Sequence, residues 1–97
     1  MAAVTLVQAD LPGSDLVRDG LADLAAGRES QASLLVTMAA PRLRALGFDV
    51  PPCDIETPSH RLYELLTLDG PGAHSRYNAL VARIVSFARA AGHATAR

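Results

Sequence analysis

Apolar residues recur at helical spacing in the first part of the chain, between two turns that contain glycine. At ~100° per residue, one face of the segment from Asp15 to Ala26 collects the apolar side chains, and the opposite face is polar or alanine-rich. The apolar face consists of Leu16, Val17, Gly20, Leu21 and Leu24. Ser14 stands where a helix N-cap is expected, and Gly27 stands where a helix stops. The pattern predicts a first amphipathic helix over about residues 15–26.

The next segment, from about Ser30 to Leu46, is apolar almost all round. A helix of this kind is usually central and buried on several sides. Pro41 interrupts it, and an interior proline removes a backbone hydrogen bond and clashes with the carbonyl four residues earlier. Two outcomes are open: the helix kinks at Pro41, or it breaks and a short new helix starts with Pro41 at its first position. Gly47 followed by Phe48 is typical of a Schellman-type helix end.

Two more helices are predicted after the proline-containing loop "FDVPPCDIETPS". Thr57 and Pro58 mark the start of the third helix, because proline is favoured at the first helical position, and this helix runs to about Leu68. Its predicted apolar face contains Leu62, Leu65 and Leu66, with Leu68 as a further candidate. The fourth helix starts near residues 71–74 and runs to Ala91, with Gly92 as its stop.

These segments predict an all-α protein, a compact bundle of four principal helices in which the second helix is kinked or broken at Pro41. The chain of 97 residues is expected to form a single helical domain over residues 1–97, with an N-terminal arm at 1–12 and a frayed tail at 93–97. Hydrophobic residues make up 49% of the chain and aromatic residues only 4%, so the core should be aliphatic. The short connections predict that helices one and two, and helices three and four, are antiparallel neighbours.

The charge and residue composition indicate which partners and which location are expected for the protein. A formal net charge of −1 provides no general attraction to nucleic acid or to an anionic membrane. All nine basic residues are arginine and alanine is the commonest residue, which we interpret as the codon bias of a GC-rich bacterial genome. The N-terminus lacks the pattern of a signal peptide, and no stretch approaches the length of a membrane span. A cytoplasmic location is therefore expected.

Polar residues are concentrated in the stretch "GAHSRYNALVARI" at the start of the fourth helix. On a helical wheel, Tyr77 lies at the centre of the apolar face, and His74 and Asn78 lie on one flank, four residues apart. We predict that Tyr77 is a core residue with a hydrogen-bonded hydroxyl. His74 and Asn78 should form a polar pair at the core edge, at a subunit interface if there is one. The alternative is a ligand cluster of His74, Tyr77 and Asn78 together with Arg42. A straight second helix would bury Arg42, whereas a bend at Pro41 would turn it outward.

Charge is unevenly distributed between the first and last helices. The first predicted helix contains Asp15, Asp19 and Asp23, whereas no acidic residue follows Asp69. Opposite charge favours these two helices as neighbours, within one subunit or between two. The rival interpretation is a basic face that contacts phosphate, formed by Arg76, Arg83 and Arg89. The wide spacing of these arginines, and the lack of a known nucleic-acid-binding motif, make nucleic acid a weak candidate partner.

No catalytic residue, metal site or cofactor is predicted, and the protein is not expected to be an enzyme. Cys53 is the only cysteine and lies beside Asp54, whose negative charge would disfavour a thiolate nucleophile. His60 and Glu64 are four residues apart, a spacing that suits a surface pair rather than a metal site.

The favoured function is a small helical protein–protein interaction or adaptor module that self-associates as a homodimer, with another protein as a further potential partner. One bundle of this size would leave apolar surface to be covered, because the second helix is apolar on all sides. A nucleic-acid-associated regulator using the arginine-bearing last helix is the first alternative. A small-molecule binder with a site near His74, Asn78 and Arg42 is the second.

Overall fold

The computed structural model describes residues 11–95, and within this range it contains five α-helices and no strand. The helices are α1 (Ser14–Ala26), α2 (Gln31–Met38), α3 (Ala40–Ala45), α4 (Pro58–Asp69) and α5 (Ala73–Thr95). The predicted all-α class is confirmed. The detail of a bundle with four principal helices is not, because the segment around Pro41 forms two separate helices.

Helix α1 begins and ends at glycines with a positive φ. Gly13 precedes the helix with φ 77°, and Ser14 is its first helical residue, so the prediction that Ser14 is the N-cap was wrong. A side chain at residue 13 would be doubly disfavoured, because a Cβ there would lie 2.9 Å from the carbonyl oxygen of Arg83 on α5. Gly27, with φ 75°, follows the last helical residue as predicted.

Helix α2 is joined to the end of α1 by a short polar network. The hydroxyl of Ser30 accepts a hydrogen bond from the Ser33 amide, and the Ser33 hydroxyl accepts one from the Ser30 amide, which together form a capping box. The Ser30 hydroxyl also donates to Asp23 Oδ2 at 2.7 Å, and Arg28 donates to the other oxygen of Asp23. Asp23, near the end of α1, therefore binds both Arg28 in the following turn and Ser30 at the start of α2.

Pro41 marks a break rather than a kink, which settles the two outcomes left open by the sequence. Helix α2 ends at Met38, and α3 begins at Ala40 with Pro41 as its second residue, one position later in the helix than predicted, where its missing N–H costs little. In α3, Arg42 is exposed and Leu43 is completely buried. The predicted Schellman ending is confirmed, because the amide of Phe48 donates to the Leu43 carbonyl at 3.0 Å across Gly47.

The last two helices differ from the prediction at their ends. Pro58 is the first residue of α4 as predicted, but Leu68 is 80% exposed and does not belong to the apolar face. Helix α5 continues through Gly92 to Thr95, so the predicted stop at Gly92 was wrong, and residues 93–95 of the predicted frayed tail are helical. A glycine can adopt helical dihedral angles, and it ends a helix only where the following chain turns away. Residues 1–10 of the predicted N-terminal arm, and the last two residues of the tail, lie outside the described range.

Helix α2 is the centre of the fold and contacts each of the other four helices. This confirms the prediction from its apolar sequence, and Leu34, Leu35 and Val36 are fully buried. The rings of Phe48 and Phe87 pack at a centroid distance of 5.5 Å and close the core beside α5. The largest fully buried side chains are Phe87, Leu34, Leu35, Leu43, Leu62, Leu66, Val17 and Val36.

Candidate functional site

The break between α2 and α3 leaves an open depression of about 380 Å³ beside α5, which we call the arginine-flanked groove. The junction of α2 and α3 contributes Met38 and Ala39, and both helix segments that border the groove carry an arginine. The groove residues are Met38, Ala39, Arg42, Val81, Ile84, Val85, Ala88 and Arg89. The groove therefore borders the place where α2 ends and α3 begins.

The floor of the groove is an apolar stripe along α5. Val81, Ile84, Val85 and Ala88 follow the spacing i, i+3, i+4, i+7 that defines one face of a helix. Ile84 and Ala88 are buried at the side of the stripe that meets the core, whereas Val85 is 46% exposed. Val85 is the exposed large apolar side chain of the stripe and Val81 is half-buried, and this apolar surface with arginines at its end makes the stripe a candidate contact surface.

Arg42 and Arg89 are the two charged residues of the groove, and both are exposed. A Cβ added at Gly92 would lie 3.2 Å from Arg42 Nη2, so this guanidinium reaches α5 about one helical turn beyond Arg89. Within residues 11–95, neither arginine makes a side-chain hydrogen bond or ion pair. The positive charge therefore lies at one end of the apolar stripe.

The other arginines of the described range have partners. Arg83 donates to Asp15 at 3.0 Å, which confirms that the basic last helix and the acidic first helix are neighbours within one subunit. Arg76 donates to Asp69 at 2.8 Å and to the carbonyl oxygens of Leu66 and Gly70, so it caps the C-terminal end of α4. The three arginines of the predicted basic face therefore do not act together. Arg76 and Arg83 are hydrogen-bonded to acidic residues, and Arg89 lies in the groove.

Hydrogen bonds lower the pKa of two carboxyl groups near the turn between α1 and α2. The Ser30 hydroxyl, and after it the Arg28 guanidinium, lower the pKa of Asp23 below its usual value. Arg61 on α4 donates two hydrogen bonds of 2.8 Å to Glu29, and these lower the pKa of that carboxyl. Both acids hold turns in place, and neither lines the arginine-flanked groove.

The residues that the sequence singled out at the start of the last helix line a different depression. It is open, has a volume of about 440 Å³, and is called here the aromatic patch. Its residues are Ser59, His60, Tyr63, His74, Tyr77 and Asn78. Asn78 Nδ2 lies 3.3 Å from His74 Nε2, a hydrogen bond from the amide when the neutral imidazole has its proton on Nδ1. The predicted His74–Asn78 pair is present, although both residues are exposed.

Tyr77 is only partly a core residue. It is half-buried against the core, and its ring meets that of Tyr63 at a centroid distance of 5.7 Å. Within the described residues its hydroxyl has no hydrogen-bond partner, contrary to the prediction. Tyr63 also contacts His74, at 6.5 Å between the rings. The sequence did not single out Tyr63, because its position on the polar side of α4 does not reveal which part of α5 it faces.

The structure does not bring Arg42 to the ligand cluster proposed from the sequence. Arg42 lines the arginine-flanked groove, whereas His74, Tyr77 and Asn78 line the aromatic patch, and the two depressions share no residue. In residues 11–95 no group of three or more His, Cys, Asp or Glu side chains is arranged to hold a metal ion. Glu64 accepts a hydrogen bond from Arg61 at 3.2 Å, and Cys53 is a half-buried thiol in the loop before α4.

Comparisons with protein-family models, curated proteins and solved structures found no match to this chain. None of the helices between residues 11 and 95 has both the length and the apolar character that a bilayer crossing requires.

Proposed function

We propose that this protein is a small interaction module that binds an amphipathic α-helix of a partner protein in the arginine-flanked groove. The observation that carries the proposal is the partly exposed apolar stripe of α5 beside the α2–α3 junction. Its four residues span about 10 Å of helix, or two turns, which suits the apolar face of one docked helix. Met38 provides an adaptable side chain at the edge of such a contact.

A second copy of the chain fits this groove less well than a different protein does. Two grooves meeting face to face would bring the Arg42 and Arg89 pairs of both copies into one interface. No acidic residue follows Asp69, so α5 itself supplies no counter-charge. Unpaired charges at an interface are costly to desolvate, and this disfavours the symmetric arrangement.

Self-association remains part of the proposal, through a different surface. Leu68 is 80% exposed and Tyr63 is 38% exposed, and both lie on the outer face of α4. Arg61 and Glu64 border the same surface, so a second copy would meet charges of both signs there. Static light scattering at low micromolar concentration should give the mass of a dimer for the natural protein and of a monomer for Leu68→Glu. A natural protein of monomeric mass would refute self-association.

The alternative of a nucleic-acid-associated regulator is less favoured. Phosphate binding needs several arginines that are free to contact the backbone. Arg76 and Arg83 are already hydrogen-bonded to Asp69 and Asp15. A small-molecule function would use the aromatic patch, which is an open surface rather than an enclosing cavity.

The groove can be tested with a labelled model helix. The probe is a fluorescein-labelled peptide of about five turns, with leucines at helical spacing on one face and alanine and glutamine elsewhere. We expect saturable binding in fluorescence anisotropy, and at least about 10-fold weaker binding to Val85→Glu, because the substitution places a charge in the apolar stripe. Ala79→Glu is the matched control, since it places the same charge at an exposed position of α5 outside the groove. Absence of saturable binding, or an equal loss in both variants, would overturn the proposal.

A further inference from the structure

We infer that the partner helix is acidic, with carboxylates at the end of its apolar face that lies over Arg42 and Arg89. This inference rests on the proposed function and specifies the partner of the same groove. It is drawn from the position of the two guanidinium groups and from their lack of partners, neither of which follows from the apolar stripe.

The two guanidinium groups are unusual among the arginines of the described range. Those with an acid partner are Arg18, Arg28, Arg61, Arg76 and Arg83. Arg44 donates instead to the carbonyl oxygen of Val50 at 2.8 Å. Arg42 and Arg89 have neither kind of contact within residues 11–95, and both border the groove. The fold therefore leaves two unpaired cations beside the partly exposed apolar stripe.

The positions of these cations set the register of the partner. Val81, Ile84, Val85 and Ala88 form the apolar stripe, and Arg89 follows directly on the same helix. Arg42 Nη2 lies beside Gly92, so both cations lie past the same end of the stripe. A partner helix whose leucines cover the stripe must place its next turn over Arg42 and Arg89. Asp or Glu side chains in that turn would form charge-assisted hydrogen bonds, for which the planar guanidinium is well suited.

Ion pairs between the partner's carboxylates and the two arginines should be stronger beside the apolar groove than on an open surface. A docked helix would exclude water from the groove and lower the local dielectric, which strengthens an ion pair and raises the cost of an unpaired cation. A helix with lysine in that turn would place like charges together. The groove should therefore discriminate between partner helices by charge as well as by apolar pattern.

Three versions of the model peptide test the inference. They share the leucine stripe and differ only in two positions of the turn that would lie over Arg42 and Arg89: both Glu, both Gln or both Lys. The natural protein should bind the Glu peptide roughly 10-fold more tightly than the Gln peptide at low salt, and the Lys peptide more weakly than either. Added salt should reduce these differences, because it screens exposed charges.

Charge reversal in the protein shows whether these two arginines cause the preference. In Arg42→Glu/Arg89→Glu the order should invert, so that the Lys peptide binds most tightly. Arg18→Glu/Arg44→Glu changes the net charge by the same amount outside the groove and should keep the natural order. Thermal unfolding of both double variants checks that they are folded.

The outcomes separate this inference from the proposed function. If all three peptides bind equally and Val85→Glu weakens each of them, the groove binds helices but the acidic partner is wrong. If the preference for Glu persists in Arg42→Glu/Arg89→Glu, other charges cause it and the inference is also wrong. If no peptide binds the natural protein, both the groove and its acidic partner are refuted.

Discussion

Gly20 lies at a close approach of helices α1 and α2, and Gly20→Ala should destabilise the fold. A Cβ at this residue would lie 2.5 Å from the carbonyl oxygen of Ala32 and would also collide with Val36 Cγ2. The valine is fully buried and the carbonyl belongs to the backbone, so neither can rotate away. Helices α1 and α2 would have to move apart, which would disturb the packing around the central helix α2.

The magnitude follows from two opposing contributions. Overpacking a core typically costs about 1–3 kcal/mol, and the upper end applies here because backbone must move. Replacing a helical glycine with alanine stabilises the helix by about 1 kcal/mol. The net loss in the free energy of unfolding should be about 2 kcal/mol, which corresponds to a fall in Tm of about 8–16 °C for a domain of this size.

Gly92→Ala is the matched control, because Gly92 also lies inside a helix. There a new Cβ would lie 3.2 Å from Arg42 Nη2, the end of a flexible side chain, and 3.7 Å from Leu46 Cδ2. We expect Gly92→Ala to stabilise the protein by about 0.5–1 kcal/mol. Urea denaturation followed by circular dichroism measures both variants, and an unchanged slope would show that the denatured state is the same. Two variants that change stability in the same direction, or a Gly20→Ala variant as stable as the natural protein, would refute the close approach of α1 and α2.

Two further predictions concern Tyr77 and Asp23. Tyr77→Ala should cost about 2–3 kcal/mol in chemical denaturation, less than the ~3–5 kcal/mol typical of a fully buried aromatic residue, because Tyr77 is half-buried. Tyr77→Phe should cost less than about 0.5 kcal/mol because the hydroxyl has no hydrogen-bond partner within residues 11–95, and a larger cost would reveal one. The folded state lowers the pKa of Asp23, so this carboxyl stabilises the fold above its unfolded pKa of about 3.9, and the contribution is lost as the pH falls through the folded value. The urea midpoint should therefore fall between about pH 5 and pH 2. Asp23→Asn should flatten this dependence while Asp49→Asn, at an exposed position, should not; equal profiles for the two variants would exclude the role of Asp23.

Local sequence determined most of the helical framework. The end of α1 at Gly27 and the Gly47–Phe48 ending depend on glycine at a positive φ and on hydrogen bonds between residues a few positions apart. The break at Pro41 follows from the missing N–H and the ring clash of proline, which are properties of the residue itself. The central position of α2 followed from its composition, since a helix that is apolar all round needs neighbours on every side.

The tertiary structure decided which faces meet and which charges remain unpaired. A periodic pattern defines the phase of side chains within one helix, but not the angle at which the next helix approaches. Arg76 and Arg83 looked alike in sequence, yet one caps α4 and the other binds Asp15 of α1, because their positions on α5 face different elements. Leu68 fitted the apolar spacing of α4 but lies beyond the edge of the core. The arginine-flanked groove is lined by the α2–α3 segment and by α5, which are distant in sequence, and it therefore exists only when the chain is folded.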